Sequence, residues 1–271
     1  MDPTTSRPEG ADVGFDVERA VHDRYGAGAR AVQPSPCCPV VYDQKDLDHL
    51  PEEILEKDYG CGDPSRYARA GETVLDLGSG AGLDLLLARE RVGEAGHVIG
   101  VDMTEAMIAT ARRHVERAGF ANVEIRQGVI EHLPVDDASV DWVISNCVIN
   151  LSPDKPSVFR EIARVLRAGG RFSVSDIVVE SLPDWVRANP DAYVACVAGA
   201  VSERDYIGGL EAAGLVDVTV TDRLVYTADQ LQAIVAEDLG GLSLDCDTMR
   251  RALAEVEGKV WSARITGRRP S

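Results

Sequence analysis

The chain has 271 residues, 45% of them hydrophobic, enough for one large α/β domain with an appended piece. Lys and Arg number 28 against 45 Asp and Glu, a formal charge of -17, which argues against nucleic acid or an anionic membrane surface as a partner. Six cysteines, at 37, 38, 61, 147, 196 and 246, are too sparse for a disulfide-built secreted scaffold, and no CxxC or HxxxH spacing near them suggests a zinc site.

Read in chain order, the opening "MDPTTSRPEGADVG" has neither the basic region nor the apolar core of a signal peptide, and no apolar run is long enough to span a bilayer. It reads as a disordered leader on a cytoplasmic protein, whose cysteines are then thiols unless function oxidises them. "DVERAVHDRYG" predicts a short amphipathic helix, followed by a loop through Pro39. "DHLPEEILEKDYG" predicts a second helix ending near Gly60. Then the pattern changes. "TVLDLG", "HVIGVDM" and the weaker "NVEIRQG" are short apolar strands of the buried, parallel type. Between the last two, Met107, Ile108, Ala111, Val115 and Ala118 share one helical face behind Thr104 as N-cap. "VDWVIS" is a fourth strand, "SVFREIARVLRAGG" a helix with a glycine stop, and "RFSVSDIVV" a fifth strand. "VDVTVTDRLVY" and "KVWSARITG" close the chain as an antiparallel pair. Strand and helix alternating at this pitch predict a doubly wound α/β sheet.

The first strand runs into "DLGSGAG", with Gly78, Gly80 and Gly82 following Asp76. Glycines permit positive φ and close approach of a ligand, and the helix that follows offers free N–H groups. The spacing is GxGxG rather than the GxGxxG of a dinucleotide site, which disfavours a nicotinamide cofactor. Asp102 ends the second strand about 20 residues past the last glycine, where a carboxylate can accept ribose hydroxyls. A tight strand-to-helix turn alone would also explain the glycines, but turn, strand-end acid and following strands together make a stronger signal.

Three cysteines occupy positions of chemical interest. Cys61 lies in "DYGCGDP" just before the sheet, Cys147 at the end of strand four, and Cys196 in the half of the chain that should cover the cleft. "PCCP" adds Cys37 and Cys38 on the amino-terminal arm. Converging thiols suit a soft centre, and trivalent arsenic binds up to three sulfurs while keeping a lone pair that can attack a methyl group. Each cysteine is also compatible with a small core filler. His49, His114 and His132 read as surface or cap residues, Trp142 and Trp185 as core, Asp84 as a helix-terminus charge, and Cys246 as a surface or interface thiol.

"DYGCGDPSRY", "VLDLGSGAGLDLLLA", "VIGVDMTEAM", "SNCVINLSPDK", "VLRAGGRFSVSDIV" and "CVAGA" together resemble the arsenite methyltransferases, within the class I S-adenosylmethionine-dependent methyltransferases, over roughly residues 20 to 225. The resemblance implies a Rossmann-like, mostly parallel seven-stranded sheet. It also implies an arm with a lid helix (1–44), a cofactor domain (45–180) and a covering region with the final strands (181–271). S-adenosylmethionine would contact Tyr25, Tyr59, Asp76, Gly78, Ser79, Gly80, Asp102, Met103, Ile130 and Glu131. Cys147 and Cys196 would hold arsenic, with Cys61 as an early third ligand. Cys37 or Cys38 would exchange substrate or resolve disulfides with glutathione or thioredoxin. Arsenite or its thiol conjugate would be the substrate, and mono- and dimethylated arsenicals the products. A methyltransferase of another small organic molecule and a metalloid-sequestering protein stay open as alternatives.

Overall fold

A computed structural model of the chain describes residues 16–28, 63–227, 230 and 255–271. Its centre is a seven-stranded sheet in the order β3-β2-β1-β4-β5-β7-β6. The strands are β1 (Thr73–Leu77), β2 (His97–Asp102), β3 (Val123–Gln127), β4 (Val140–Asn146), β5 (Leu166–Val179), β6 (Val216–Val225) and β7 (Val260–Arg268). The first five pair in parallel, and β7 pairs antiparallel with both β5 and β6, as the sequence pattern predicts.

The helices are α1 (Val17–Gly28), α2 (Leu83–Val92), α3 (Glu105–Ala118), α4 (Lys155–Val165), α5 (Asp184–Arg187), α6 (Pro190–Val194) and α7 (Glu203–Ala212). Among the described residues, no helix is long and apolar enough to cross a membrane. The central strands are apolar on both faces because helices cover both. Val74, Val98, Trp142 and Ile144 pack with α2 and α3, while Leu75, Val143, Phe172 and Val174 pack with α4 and α7.

The strand order reverses between β1 and β4. In an open α/β sheet the carboxyl ends of such a pair flank a natural crevice. Here β1 exits into Gly78 and β4 exits into Cys147, so this topology brings the glycine turn and the first predicted thiol to the same edge.

Several local expectations need correction. Helix α4 stops at Val165, before Gly169 and Gly170. Leu166 is already extended and pairs with Val140. The stop comes from far away in sequence: the Arg269 guanidinium donates to the carbonyls of Arg164 (3.1 Å) and Leu166 (2.5 Å), which a continuing helix would otherwise satisfy. Thr104 is the N-cap of α3, but its side chain makes no capping bond. Trp142 is core, with Arg171 stacked 4.3 Å above its ring, whereas Trp185 is 42% exposed on the four-residue α5. His114 is buried, not a surface residue, because its Nδ1 lies 2.8 Å from the carbonyl oxygen of Ala81. His132 is exposed as expected. The helix expected over residues 48–60, the arm around Cys37 and Cys38, and His49, Tyr59, Cys61 and Cys246 lie outside the described residues.

Candidate active site

The glycine turn is built by backbone bonds that side chains would obstruct. The amides of Gly78 and Ser79 both donate to the carbonyl of Val101 (2.8 and 3.0 Å), tying β1's exit to β2. Gly78 and Gly80 hold φ of 66° and 51°. A Cβ on Gly78 would sit 2.4 Å from Cγ2 of Val148, the residue after Cys147, so the missing side chain lets the two strand exits meet. The Gly80 amide donates to one oxygen of Asp102 (2.9 Å) and the Thr104 amide to the other (2.8 Å). That fixes the carboxylate across the mouth of the crevice.

The resulting cleft takes in about 1120 Å³ of space, much of it the open mouth. Asp76, Gly78, Gly80, Asp102, Met103, Ile130 and Glu131 line it. Ser79 also lines it, but its hydroxyl turns inward against Gly100, so it contributes wall rather than a donor. Val21 and Tyr25 cover it from α1. The loop carrying Glu131 is held from behind. Arg164 donates to the carbonyls of Leu133 and Val135 and pairs with Asp137 and Glu161, and Glu161 accepts from the Leu133 amide (2.7 Å).

The cleft is electrostatically one-sided. Burial pushes Asp76 well above the usual carboxylate range, and the neighbouring Asp84 and Asp102 push it further. Burial also raises Asp102, against the pull of its amide hydrogen bonds. Asp84 is buried at the start of α2, accepts from Asn146 Nδ2 (3.0 Å) and lines the cleft, a larger role than a helix-terminus charge. Three buried carboxylates around one cavity favour a cationic occupant. The sulfonium and ammonium groups of S-adenosylmethionine meet that requirement, so the residues present fit the cofactor the fold implies. Among the described residues no group of three His, Cys, Asp or Glu side chains is arranged to hold a metal ion.

The two described cysteines of the expected set meet beside this cleft. Cys147 lines it, and Cys196 lies behind, donating its thiol proton to the Cys147 carbonyl oxygen at 2.8 Å. Both have left-handed backbone, with φ of 54° and 63°. Such a conformation costs a non-glycine residue about 1–3 kcal/mol and persists only where the surroundings enforce it. The enforcement is visible. The Cys147 amide donates to Ser175 (2.8 Å), the Cys196 amide donates to Tyr193 (2.9 Å), and the two turns pack backbone to backbone. A Cβ on Gly199 would lie 2.1 Å from the Asn150 carbonyl oxygen. Cys196 is a free thiol, whereas Cys147 is disulfide-bonded, so ligation through Cys147 requires reduction first.

Beneath the turns lie two charged groups to which sequence reasoning gave no role. Lys155 donates to the carbonyls of Asn150 (3.3 Å) and Ser152 (3.1 Å), closing the turn after Cys147. Burial lowers its pKa to about 8, against the pull of Asp176, Cys196 and Glu131. Asp176 is fully buried on β5 and accepts from the amides of Asn150 (3.2 Å) and Ile177 (3.1 Å) and from the Tyr206 hydroxyl (3.3 Å). Burial raises its pKa to about 7, with Lys155 pulling it down. An aspartate inside the apolar run "SVSDIVV" was the available signal.

Comparison with known proteins agrees with this geometry. A family profile described as a methyltransferase domain matches residues 68–234. An arsenite methyltransferase of Halobacterium salinarum is 52% identical over 167 residues, 60% of this chain and 43% of that protein. The human arsenite methyltransferase is 39% identical over 165 residues, 57% of this chain and 44% of that protein. The chain therefore spans less than half the length of these curated relatives. Among solved structures, an arsenic(III) S-adenosylmethionine methyltransferase from Chlamydomonas reinhardtii superposes with a TM-score of 0.66. It shows 34% identity over 89% of this chain and 75% of that one.

Proposed function

Because the chain belongs to the arsenite methyltransferase family, we propose that it methylates trivalent arsenic held by Cys147 and Cys196, with S-adenosylmethionine as methyl donor. The observation that carries this reading is the hydrogen bond between the two cysteines at the wall of the cofactor cleft: Cys147 lines the cleft, and the Cys196 thiol donates to the Cys147 carbonyl oxygen at 2.8 Å. An organic acceptor would give no use to two strained cysteines placed there.

When bound, S-adenosylmethionine supplies a methyl group on a positively charged sulfur, which an arsenic lone pair can take without a protein base. The chain's own residues do the rest. Asp76, Asp84 and Asp102 line the cleft where the cofactor's positively charged groups would sit. Gly78 lets the Cys147 turn sit against the glycine turn, so that arsenic on Cys147 faces the cleft. Arsenite arrives as a thiol conjugate. Each exchange forms a protein S–As bond and breaks the carrier's, and the cysteine proton leaves with the released thiol. Holding the lone pair in place against the methyl group is the main source of rate.

Cys61 serves as a third ligand early in the cycle. Returning methylated arsenic to the trivalent state takes two electrons from thiols, and Cys37 or Cys38 passes the resulting disulfide to glutathione or thioredoxin. Products are mono- and dimethylated arsenicals, and the work is done in the cytoplasm. The arm (1–44) closes over the cofactor, residues 45–180 bind it, and 181–271 cover the substrate. The reading is tested by dialysing reduced protein against arsenite and measuring bound arsenic. Wild type should retain one arsenic per chain, and Cys147→Ser and Cys196→Ser should lose it. Retention undiminished in both variants would overturn the assignment.

A further inference from the structure

Tyr25 reaches both halves of the site. Its ring packs against Ala81 and Met107, beside the glycine turn, and lines the cofactor cleft. Its hydroxyl donates to the Val194 carbonyl at 3.2 Å and lies 3.9 Å from Cys196 Sγ. It belongs to α1, which also brings Val21 over the cleft. The geometry points to Tyr25 as a coupling residue through which arsenic on Cys196 tightens the hold of α1 on the cofactor. This inference rests on the arsenic assignment above and adds a regulation of that same site.

The argument follows the Cys196 proton. In the free thiol that proton points at the Cys147 carbonyl, so the sulfur acts as a donor. Ligation replaces the proton with arsenic, and the proton leaves with the displaced thiol. The sulfur then donates nothing and carries partial negative charge. The nearby Tyr25 hydroxyl holds a 3.2 Å bond to a neutral carbonyl, and a polarised sulfur within reach is a better acceptor for it. Turning that proton from Val194 to Cys196 exchanges a bond to a neutral carbonyl for a charge-assisted one to the loaded thiolate, which holds α1 more firmly. Because α1 roofs the cleft, whatever holds it down also holds the cofactor. By linkage the effect is reciprocal: bound cofactor favours the α1 position in which Tyr25 meets the sulfur, so each ligand strengthens the other's binding.

The experiment is calorimetric titration of S-adenosylhomocysteine into phosphine-reduced full-length protein, with and without saturating arsenite, for wild type and Tyr25→Phe. Phenylalanine keeps the ring on Ala81 and Met107 and removes only the hydroxyl. Arsenite should tighten binding to wild type by about fivefold or more, the lower end of measured couplings between sites, and that ratio should fall to about one in the variant. Bound arsenic is measured in the same samples. An undiminished ratio in Tyr25→Phe, or a ratio of one in wild type that retains arsenic, overturns the coupling and leaves the arsenic assignment standing. Failure of wild type to retain arsenic sinks both.

Discussion

Gly78 and Gly80 show how two glycines in one turn differ in what they do. A methyl group on Gly80 meets nothing within 4 Å, so the stability cost of Gly80→Ala is that of its left-handed backbone, about 1–2 kcal/mol. A methyl group on Gly78 collides with Val148 at 2.4 Å. Gly78→Ala should therefore lower the melting temperature further and, by displacing the Cys147 turn, weaken arsenic retention as well as cofactor binding. Thermal unfolding and arsenic dialysis on both variants separate the two cases. Equal effects would mean that the contact between the strand exits is unimportant. The spacing of these glycines was legible in the sequence, but which of them touches the thiol turn was not, because Val148 is seventy residues away.

The buried pair beneath the thiols makes a pH prediction. Asp176 has a pKa of about 7 in the folded chain against 3.8 as its ordinary value, so between those pH values the folded state keeps a proton that the unfolded chain has released. Its contribution to stability therefore declines as pH rises through that window. Lys155, lowered from 10.5 to about 8, acts oppositely: stability recovers as pH climbs between those values. Asp76 and Asp102, raised by burial, add to the decline on the acid side. Urea unfolding of wild type should show lower stability at pH 7.5 than at pH 5.5, and Asp176→Asn should lose part of that difference. Lys155→Met removes the cation that pulls the Asp176 pKa down, so the decline of stability with pH should extend to higher pH in that variant. An Asp176→Asn profile that superposes on wild type would rule the assignment out.

Among the elements, strands read well and helix ends poorly. β1, β2 and β4 were legible because a parallel strand covered on both faces is a short unbroken apolar run. The end of α4 was misplaced because Gly169 and Gly170 look like a stop, while the actual stop is Arg269, about a hundred residues later. Arg269→Ala should free those carbonyls and destabilise the chain by about 1–2 kcal/mol, read as a lower urea midpoint with an unchanged slope. No change in midpoint would return the stop to the glycines. The exposure of Trp185 and the burial of His114 were missed for the same reason. One sits on a short surface helix, and the other is drawn in by the Ala81 carbonyl far away in sequence. For the candidate site, the Cys147 position was readable as a strand exit. The left-handed backbone at both cysteines was not, since nothing in "SNCV" or "VACV" announces a positive φ enforced by distant partners.

At the scale of the whole molecule, the formal charge of -17 is self-repulsive, and its screening should stabilise the fold. The melting temperature should rise on going from about 0.05 to about 0.5 M NaCl, where the Debye length shrinks to a few ångströms. A fall would mean that the surface ion pairs, such as Arg268–Asp217 and Arg167–Asp141, outweigh the excess of acid. The arrangement of the sheet, not the surface charge, makes the function. Reversal of strand order between β1 and β4 sets the cofactor turn and the first thiol at one crevice, and the segment after β5 delivers the second thiol behind it. The most direct measurement is arsenic speciation after incubating reduced protein with arsenite, S-adenosylmethionine and glutathione, for wild type, Cys147→Ser and Cys196→Ser. Methylated arsenic from the wild type and at least a hundredfold less from each variant is the expected result. Methylation that survives in both variants, or none from a wild type that binds the cofactor, would contradict it.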